Sequence, residues 1–293
     1  MSKNILITGS SGFIGKHFIK NANEFSLTEV DLLTQNIKEI DFTGIDSVLH
    51  LAAIVHQLKG APEEEYFRVN RDLTFEVAKK AKTEGVKQFV LMSTAKVYGE
   101  STGVNAPWHE KSICLPTDSY SKSKLDGEIL VKGLVDKDFN IAIIRSPLVY
   151  GEGVKANMLN LIKFIDLLPI VPLGGIKNKR SLVYVGNLVA LIKCIIQKQA
   201  SGIFIAGDQA PLSTSQLIIL IAKSLNKRIK LIKTPNFIIK GVKHIKPSVI
   251  DRLYGSLELD NNFTNHKLEF NPPYSTLEGI SKMIFWYINN LNS

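Results

Sequence analysis

Cysteine is scarce in this chain of 293 residues: Cys114 and Cys194 are the only two. Two distant thiols make neither a disulfide framework nor a zinc site, and they suit a reducing cytoplasm, where both read as inert. No apolar run approaches the roughly 20 residues that cross a bilayer, which argues against a membrane-inserted protein. The first strand-like run begins within a few residues of Met1, leaving no room for a signal peptide. The net charge of +9 is spread along the chain, without a run of five like charges. Aromatic residues, 8% of the total, are not interleaved with the lysines into a stacking platform. The basic balance therefore reads as a solvated surface with a mild attraction for phosphates, and not as a nucleic-acid footprint. Internal repeats and low-complexity linkers are also lacking.

Apolar residues are plentiful, at 45%, and the length suits one large domain or two closely packed ones. Near the N-terminus, Ile5-Leu6-Ile7-Thr8 runs into Gly9-Ser10-Ser11-Gly12-Phe13-Ile14-Gly15 and then an amphipathic pattern. A strand that hands over to a helix through such a turn is a dinucleotide-binding arrangement. Gly9 permits the tight turn, Gly12 removes a side chain where a pyrophosphate approaches, and Gly15 lets the helix lie close to the sheet. The helix start offers unpaired amides and a positive dipole end. The spacing is Gly-x-x-Gly-x-x-Gly, not the more familiar Gly-x-Gly-x-x-Gly.

Downstream, strand and helix patterns alternate, which predicts an α/β fold with a parallel, doubly wound sheet. Leu27 to Asp31 reads as the second strand. Asp31, about 20 residues past the glycine turn, is placed to hydrogen-bond the adenosine ribose. No basic residue follows it directly, which favours NAD over NADP. Asp41-Phe42 lies in the next connection, ahead of a buried strand ending in Leu51-Ala52-Ala53, where small residues let a ribose pass. His50, inside that strand, reads as a core histidine. Glu63 to Glu84 reads as one long helix with Tyr66, Val69, Leu73, Val77 and Ala81 on a single face and Gly85 as its cap. Gln88 to Ser93 is a strand that delivers Ser93-Thr94-Ala95-Lys96-Val97-Tyr98-Gly99 at its C-terminal end, the edge where such sheets bind ligands. Tyr120 and Lys124 share one face of the following helix. A phenol titrates near pH 10, and an ammonium one turn away is expected to favour its phenolate, making Tyr120 an acid/base. Thr94 or Ser93 would orient a substrate oxygen.

The pieces TGSSGFIG, HLAA, STAKVYG, YSKSK, RSPLVYG and RSLVYV, in this order over Ile5 to about Val185, resemble an extended short-chain dehydrogenase/reductase of the NAD-dependent sugar-nucleotide epimerase/dehydratase family. RLYGSLELD near the C-terminus also fits. The resemblance implies a Rossmann domain over 1–150, with later segments near 180–206 returning to it, and a smaller α/β lobe over 151–293 for the sugar nucleotide. It implies Thr94, Tyr120 and Lys124 as catalytic residues. The cofactor site would comprise Gly9, Ser11, Gly12, Phe13, Ile14, Gly15, Asp31, Asp41, Phe42, Leu51, Ala52, Ala53, Asn70, Tyr120, Lys124 and Pro147. The substrate site would comprise Thr94, Lys96, Tyr120, Asn157, Arg180 and Arg252, with no metal. A guanidinium suits a diphosphate, although Arg252 equally suits a surface ion pair and Asn70 a helix surface.

Ala95 and Lys96 stand where the related 4,6-dehydratases carry Asp-Glu, so the carboxylate pair for elimination is missing. Leu148 stands where galactose epimerases tend to have Asn. The pattern is most similar to bacterial 4-reductases of UDP-4-keto-6-deoxy-N-acetylhexosamines in surface polysaccharide synthesis, with a UDP-sugar 4-epimerase holding NAD as the alternative; a catalytically silent nucleotide- or RNA-binding relative fits less well, because Thr94, Tyr120 and Lys124 are intact. Family members often dimerise through a four-helix bundle. Phe67, Phe75, Ile129, Leu130 and Leu134 cannot all face one sheet, so a homodimer is expected, unless the loop from Ser101 to Pro116 covers them.

The expected role of Asp31 gives a direct test. Asp31→Ala should narrow the preference for NADH over NADPH, read as the ratio of their dissociation constants. A wild type that already binds NADPH far more tightly contradicts this role.

Overall fold

The computed structural model describes residues 2–55, 61–103 and 105–291. The chain begins β1 (Asn4–Thr8), α1 (Phe13–Asn21), β2 (Ser26–Val30), β3 (Ser47–His50), α2 (Glu63–Phe67) and α3 (Thr74–Thr83). It continues β4 (Gln88–Thr94), α4 (Ser119–Lys132), β5 (Asn140–Ser146), β6 (Leu148–Tyr150), α5 (Ala156–Leu167), β7 (Ile170–Val171), β8 (Leu182–Tyr184), α6 (Val185–Gln197) and β9 (Gly202–Ile205). The last part is α7 (Thr214–Ser224), β10 (Lys230–Leu231), α8 (Asn236–Ile245), α9 (Pro247–Tyr254), α10 (Asn262–Leu268) and α11 (Thr276–Leu291). Val104 of the loop expected over the dimer face lies outside the described residues.

Six strands form one parallel sheet in the order β2-β1-β3-β4-β5-β9. Alternation along each strand sends side chains to opposite faces. Ile5 and Ile7 join Phe18, Leu188 and Ile192 under α1 and α6. Leu6 and Val48 join Val77, Ala81 and Val131 under α3 and α4. With both faces covered, the inner strands β1, β3, β4 and β5 are buried nearly throughout, whereas the edge strand β2 is largely exposed. The chain reverses its winding between β1 and β3, which opens a crevice at their C-terminal ends. A second core gathers Tyr150, Met158, Ile162, Tyr184, Ile218, Ile221 and Ile284 between β6, β8, α5, α7 and α11.

The helix expected over Glu63 to Glu84 is not regular. A π-helical turn, Arg68–Leu73, separates α2 from α3. Its extra residue rotates the register, so the buried positions are Tyr66, Asn70, Thr74, Val77, Ala78 and Ala81, while Val69 and Leu73 are only partly covered. Such turns concentrate at functional sites, and this one turns Asn70 inward. The second strand stops at Val30, with Asp31 immediately beyond it. The region from Lys240 to Leu259 forms most of α8, all of α9, and two short bridges at Leu257 and Leu259.

His50 is buried, as its place in an apolar run suggested. Its Nδ1 pairs with Thr8 Oγ1 at 2.9 Å and its Nε2 with Thr74 Oγ1 at 3.1 Å. Burial, with a smaller contribution from the Lys124 charge, pushes its pKa down to about 3. The unfolded chain binds a proton at this histidine near pH 6.5, whereas the folded one resists until about 3. Stability is thus lost as pH falls through that window, by about 3 kcal/mol at pH 4 from this group. His50→Gln should flatten the acid side of the urea-unfolding free energy against pH. An unaltered acid slope would show that His50 does not control it.

Candidate active site

Three segments converge at the crevice. The first is the glycine turn. Gly9 has φ +71°, and a Cβ there would lie 2.6 Å from the Ala52 amide nitrogen. A Cβ on Gly15 would lie 2.5 Å from Gly9 O. These two glycines let β1, β3 and α1 meet at one point, and Gly12, whose amide bonds Gly9 O at 3.1 Å, closes the turn. The first turn of α1 has no side-chain cap and no acidic residue. Its amides and dipole are thus arranged to receive an anion. Ser11 is exposed at this turn, and Phe13 and Ile14 are partly covered. The cradle, the helix terminus and the exposed Asp31 fit a dinucleotide: the turn would hold the pyrophosphate and Asp31 the ribose. Asp31 Oδ1 already accepts the Leu33 amide at 3.0 Å, which fixes its carboxylate at the strand end.

The second segment is the end of β4. Ser93 Oγ donates to Glu128 in the interior, so it is turned away from the crevice. Thr94 points the other way. It caps the short helical turn Ala95–Tyr98 by accepting the Lys96 amide at 3.2 Å, and its hydroxyl is near enough to the Tyr120 phenol to favour the phenolate. Of the two hydroxyls that the sequence offered, Thr94 is the one beside Tyr120.

The third segment is α4. Asp118 and Ser121 form a reciprocal capping box that fixes the helix start. Tyr120, Lys124 and Glu128 then fall on one stripe, four residues apart. Tyr66 packs edge-on against the Tyr120 ring at 6.4 Å between centroids. Gly127 makes the closest approach: a Cβ there would lie 2.4 Å from Asn70 O, so only glycine lets α4 touch the π-turn. Nothing in the sequence singled out Gly127; its signal is a glycine inside a helix, where alanine is otherwise preferred.

The phenol of Tyr120 titrates opposite to expectation. Burial pushes it up to about 12, and the Thr94 hydroxyl offsets only part of that. Lys124 does not counter the shift because it is itself buried and pushed down to about 8, with Glu128 as the charge that partly restores it. Desolvation here outweighs the attraction between phenolate and ammonium.

Several expected ligands are occupied by the protein. Lys96, expected at the substrate, bridges Glu100 and Asp118 at 2.8 Å each and so clamps the start of α4. Burial opposes the charge on Asp118, but Lys96 and Ser121 hold its carboxyl at about 2. Asn70, expected at the cofactor, accepts the Ile54 amide at 2.9 Å and donates to Ile54 O and Ser123 Oγ. It ties the loop after β3 to α4. Phe42 is in the core and its amide donates to Glu84, because the connection after β2 folds in over α3 and turns this side chain away from the crevice. Asp41 is exposed, and its Oδ1 holds the Thr43 amide at 2.8 Å. Leu51, Ala52 and Ala53 remain partly accessible beside the glycine turn, and Pro147 is buried after β5. Asn157 is exposed on the first turn of α5.

Arg180 and Arg252 are close enough for each charge to act on the other. Burial, then the Arg252 charge, lowers the Arg180 pKa. Arg180 Nη1 donates to Gly255 O at 3.0 Å, just past α9, where Arg252 is exposed. Two like charges held together suit a ligand with two negative charges.

Behind the stripe, Arg145 forms a buried pair with Glu128, with Nη2–Oε2 at 2.6 Å. Arg145 also stacks over the Tyr98 ring at 4.7 Å. Both thiols, Cys114 and Cys194, are pushed up by burial, which keeps them unreactive.

Comparison with known proteins adds to this geometry. The sequence pattern of the NAD dependent epimerase/dehydratase family matches residues 5–207. A Vibrio cholerae UDP-glucose 4-epimerase is 33% identical over 96% of this chain and 94% of its own. The Escherichia coli O157:H7 N-acetyl-α-D-glucosaminyl-diphospho-ditrans,octacis-undecaprenol 4-epimerase is 29% identical over 80% of this chain and 76% of its own. The solved UDP-N-acetylglucosamine 4-epimerase of Methanobrevibacter ruminantium M1 superposes with a TM-score of 0.79 at 20% identity, covering 99% of each chain.

Glu128→Gln leaves the Arg145 guanidinium buried without its countercharge. It should cost about 3–5 kcal/mol in urea unfolding, whereas Glu128→Met with Arg145→Met should recover most of that. A Glu128→Gln variant as stable as wild type would show that the pair is dispensable.

Proposed function

Because this chain belongs to the NAD-dependent epimerase/dehydratase family, we propose that it is a 4-epimerase of a diphosphate-linked hexose or N-acetylhexosamine, with NAD retained between turnovers. One observation carries the reading: Thr94 and Tyr120 supply a single proton-exchange centre, and Ala95 and Lys96 add no carboxylate beside it. Such a site can oxidise and re-reduce one carbon but lacks the second acid/base that elimination needs. Both curated relatives named above are 4-epimerases, which supports the same reading.

When bound, oxidised NAD supplies a hydride acceptor and one positive charge. The chain's own residues do the rest. Tyr120 Oη would take the proton of the sugar hydroxyl and later return it. Burial holds the phenol at about 12, so its base form requires a neighbouring positive charge. Thr94 would orient the reacting oxygen. Lys124 would hold the nicotinamide ribose. Arg180 and Arg252 would hold the diphosphate. Its carrier is a nucleoside, as in the Vibrio relative, or a polyprenol, as in the Escherichia one.

A second reading, a 4-keto-sugar reductase, is favoured by one residue. Leu148 stands exposed at the start of β6, where the resemblance expects Asn for a galactose epimerase. The dimer belongs to the proposal as well. Ile129 on α4 is 59% exposed and Leu130 is also exposed. The loop named as their alternative cover is drawn towards the C-terminal segment instead, with the Thr102 amide on Ser256 O and the Trp108 amide on Glu258 O. A two-fold partner would bury this face.

Purified protein should carry NAD through gel filtration and interconvert the C4 epimers of UDP-glucose or UDP-N-acetylglucosamine. Tyr120→Phe should lower turnover by about 100- to 10,000-fold while keeping the nucleotide. Free exchange of NADH or NADPH, with turnover only on a 4-keto sugar, would replace the epimerase by the reductase. Light scattering on the same preparation should give about twice the 32.6 kDa chain mass.

A further inference from the structure

The scattered charge of the whole chain hides one concentrated stretch. From 227 to 246 there are seven Lys or Arg residues and no Asp or Glu. This stretch leads into α8, Asn236–Ile245, in which no residue is buried. At 100° per residue, Ile238, Val242 and Ile245 occupy one side of α8 with Phe237 at its margin, and Lys240 and Lys243 the other; His244 lies beside Phe237, and the partly covered Ile239 beside Lys243. Phe237 is 75% exposed and Ile245 76%. An apolar face of this kind, left open on a soluble domain, needs an occupant.

We propose that α8 is a docking helix for an anionic membrane surface, lying in the plane of the headgroups with Phe237 and Ile245 inserted. Charge complementarity selects this occupant. A helix with a strong apolar face and a lysine-rich opposite face is the pattern that binds at the interface of anionic lipids, and nearby cations strengthen it. Lys243 already faces Asp251 of α9 at 3.7 Å; Lys240 and Lys246 form no ion pair among the described residues, and an anionic surface supplies their counterions where an apolar protein groove would not. Among the described residues no helix is long and apolar enough to cross a membrane, so the contact is peripheral. The surface adjoins the site: Lys246 ends α8 and begins α9, and α9 carries Arg252. A docked α8 thus holds the diphosphate end of the crevice near the bilayer.

The test is co-sedimentation of the full chain with vesicles of phosphatidylcholine alone and of phosphatidylcholine mixed with phosphatidylglycerol. Wild type should sediment with the anionic vesicles, less so as salt rises, and not with the neutral ones. Lys240→Glu, Lys243→Glu and Lys246→Glu combined should weaken this by at least about tenfold, given roughly fivefold per lysine. Phe237→Ser with Ile245→Ser should also weaken it, which adhesion by charge alone would not predict. The triple variant should keep its thermal midpoint and its turnover of UDP-linked sugar, so lost vesicle binding is separable from lost folding and from any failure of the proposed reaction. Wild type that stays in the supernatant with anionic vesicles overturns the proposal. So does equal sedimentation of either variant, or conversion of a dimer to monomers by the serine pair, which would assign the face to a second copy.

Discussion

The buried pair of Glu128 and Arg145 is the constraint on which the active site rests. Arg145 is on β5, Glu128 on α4, and Ser93, at the end of β4, donates to the same carboxylate. Two neighbouring strands and the catalytic helix are thereby joined through one carboxyl group. Two charges removed from water are costly unless each finds its partner in good geometry. That requirement is directional, unlike the packing of Val131 or Ile143 around it. It fixes how α4 is rotated about its axis. Since Tyr120 and Lys124 lie on the Glu128 stripe, rotation of the helix decides where the phenol and the ammonium face. The pair also explains why Lys124 can remain buried, since Glu128 is the charge that partly restores its ammonium form.

A second set of contacts sets the position of α4 along and across the sheet. Gly127 against Asn70 O fixes the distance to the π-turn, and Asn70 Nδ2 to Ser123 Oγ at 3.1 Å fixes the register. Lys96 and the capping box fix the start of the helix. Several residues with the chemistry to touch ligand are thus used to hold those that do. A side chain saturated by protein partners is rigid, and rigidity is what a proton-transfer site needs from its surroundings.

The parts legible in the sequence were those set by local rules. The glycine turn, the strand ends and the Tyr120–Lys124 spacing follow from backbone geometry and short-range periodicity, and each is found in place. The parts not legible depend on partners far along the chain. The π-turn at Asn70 packs against α4, and its side-chain partner there, Ser123, lies 53 residues later in the chain. Phe42 looks like a loop residue until α3 folds beneath it. The titration of Tyr120 is set by burial, which spacing does not report, so a correct geometric reading still gave the wrong direction of shift. Lys96 read as a ligand because Asp118 lies too far away in sequence to suggest a clamp.

The same distinction applies to charge. A total of +9 with no consecutive block describes a chain as if it were extended. Helix geometry re-sorts residues by angle, so Lys240 and Lys243, separated by two residues in sequence, come to share a side of α8 while Ile238, Val242 and Ile245 share the other. Neither composition nor a search for like-charge runs detects this, because the relevant period is 3.6 residues. Nor does burial, since α8 contributes no residue to either core. Its apolar side is therefore not accounted for by the stability of this chain. In a protein whose candidate site is held by saturated internal contacts, an element whose apolar face is left open has a sequence that must be explained by something outside the fold.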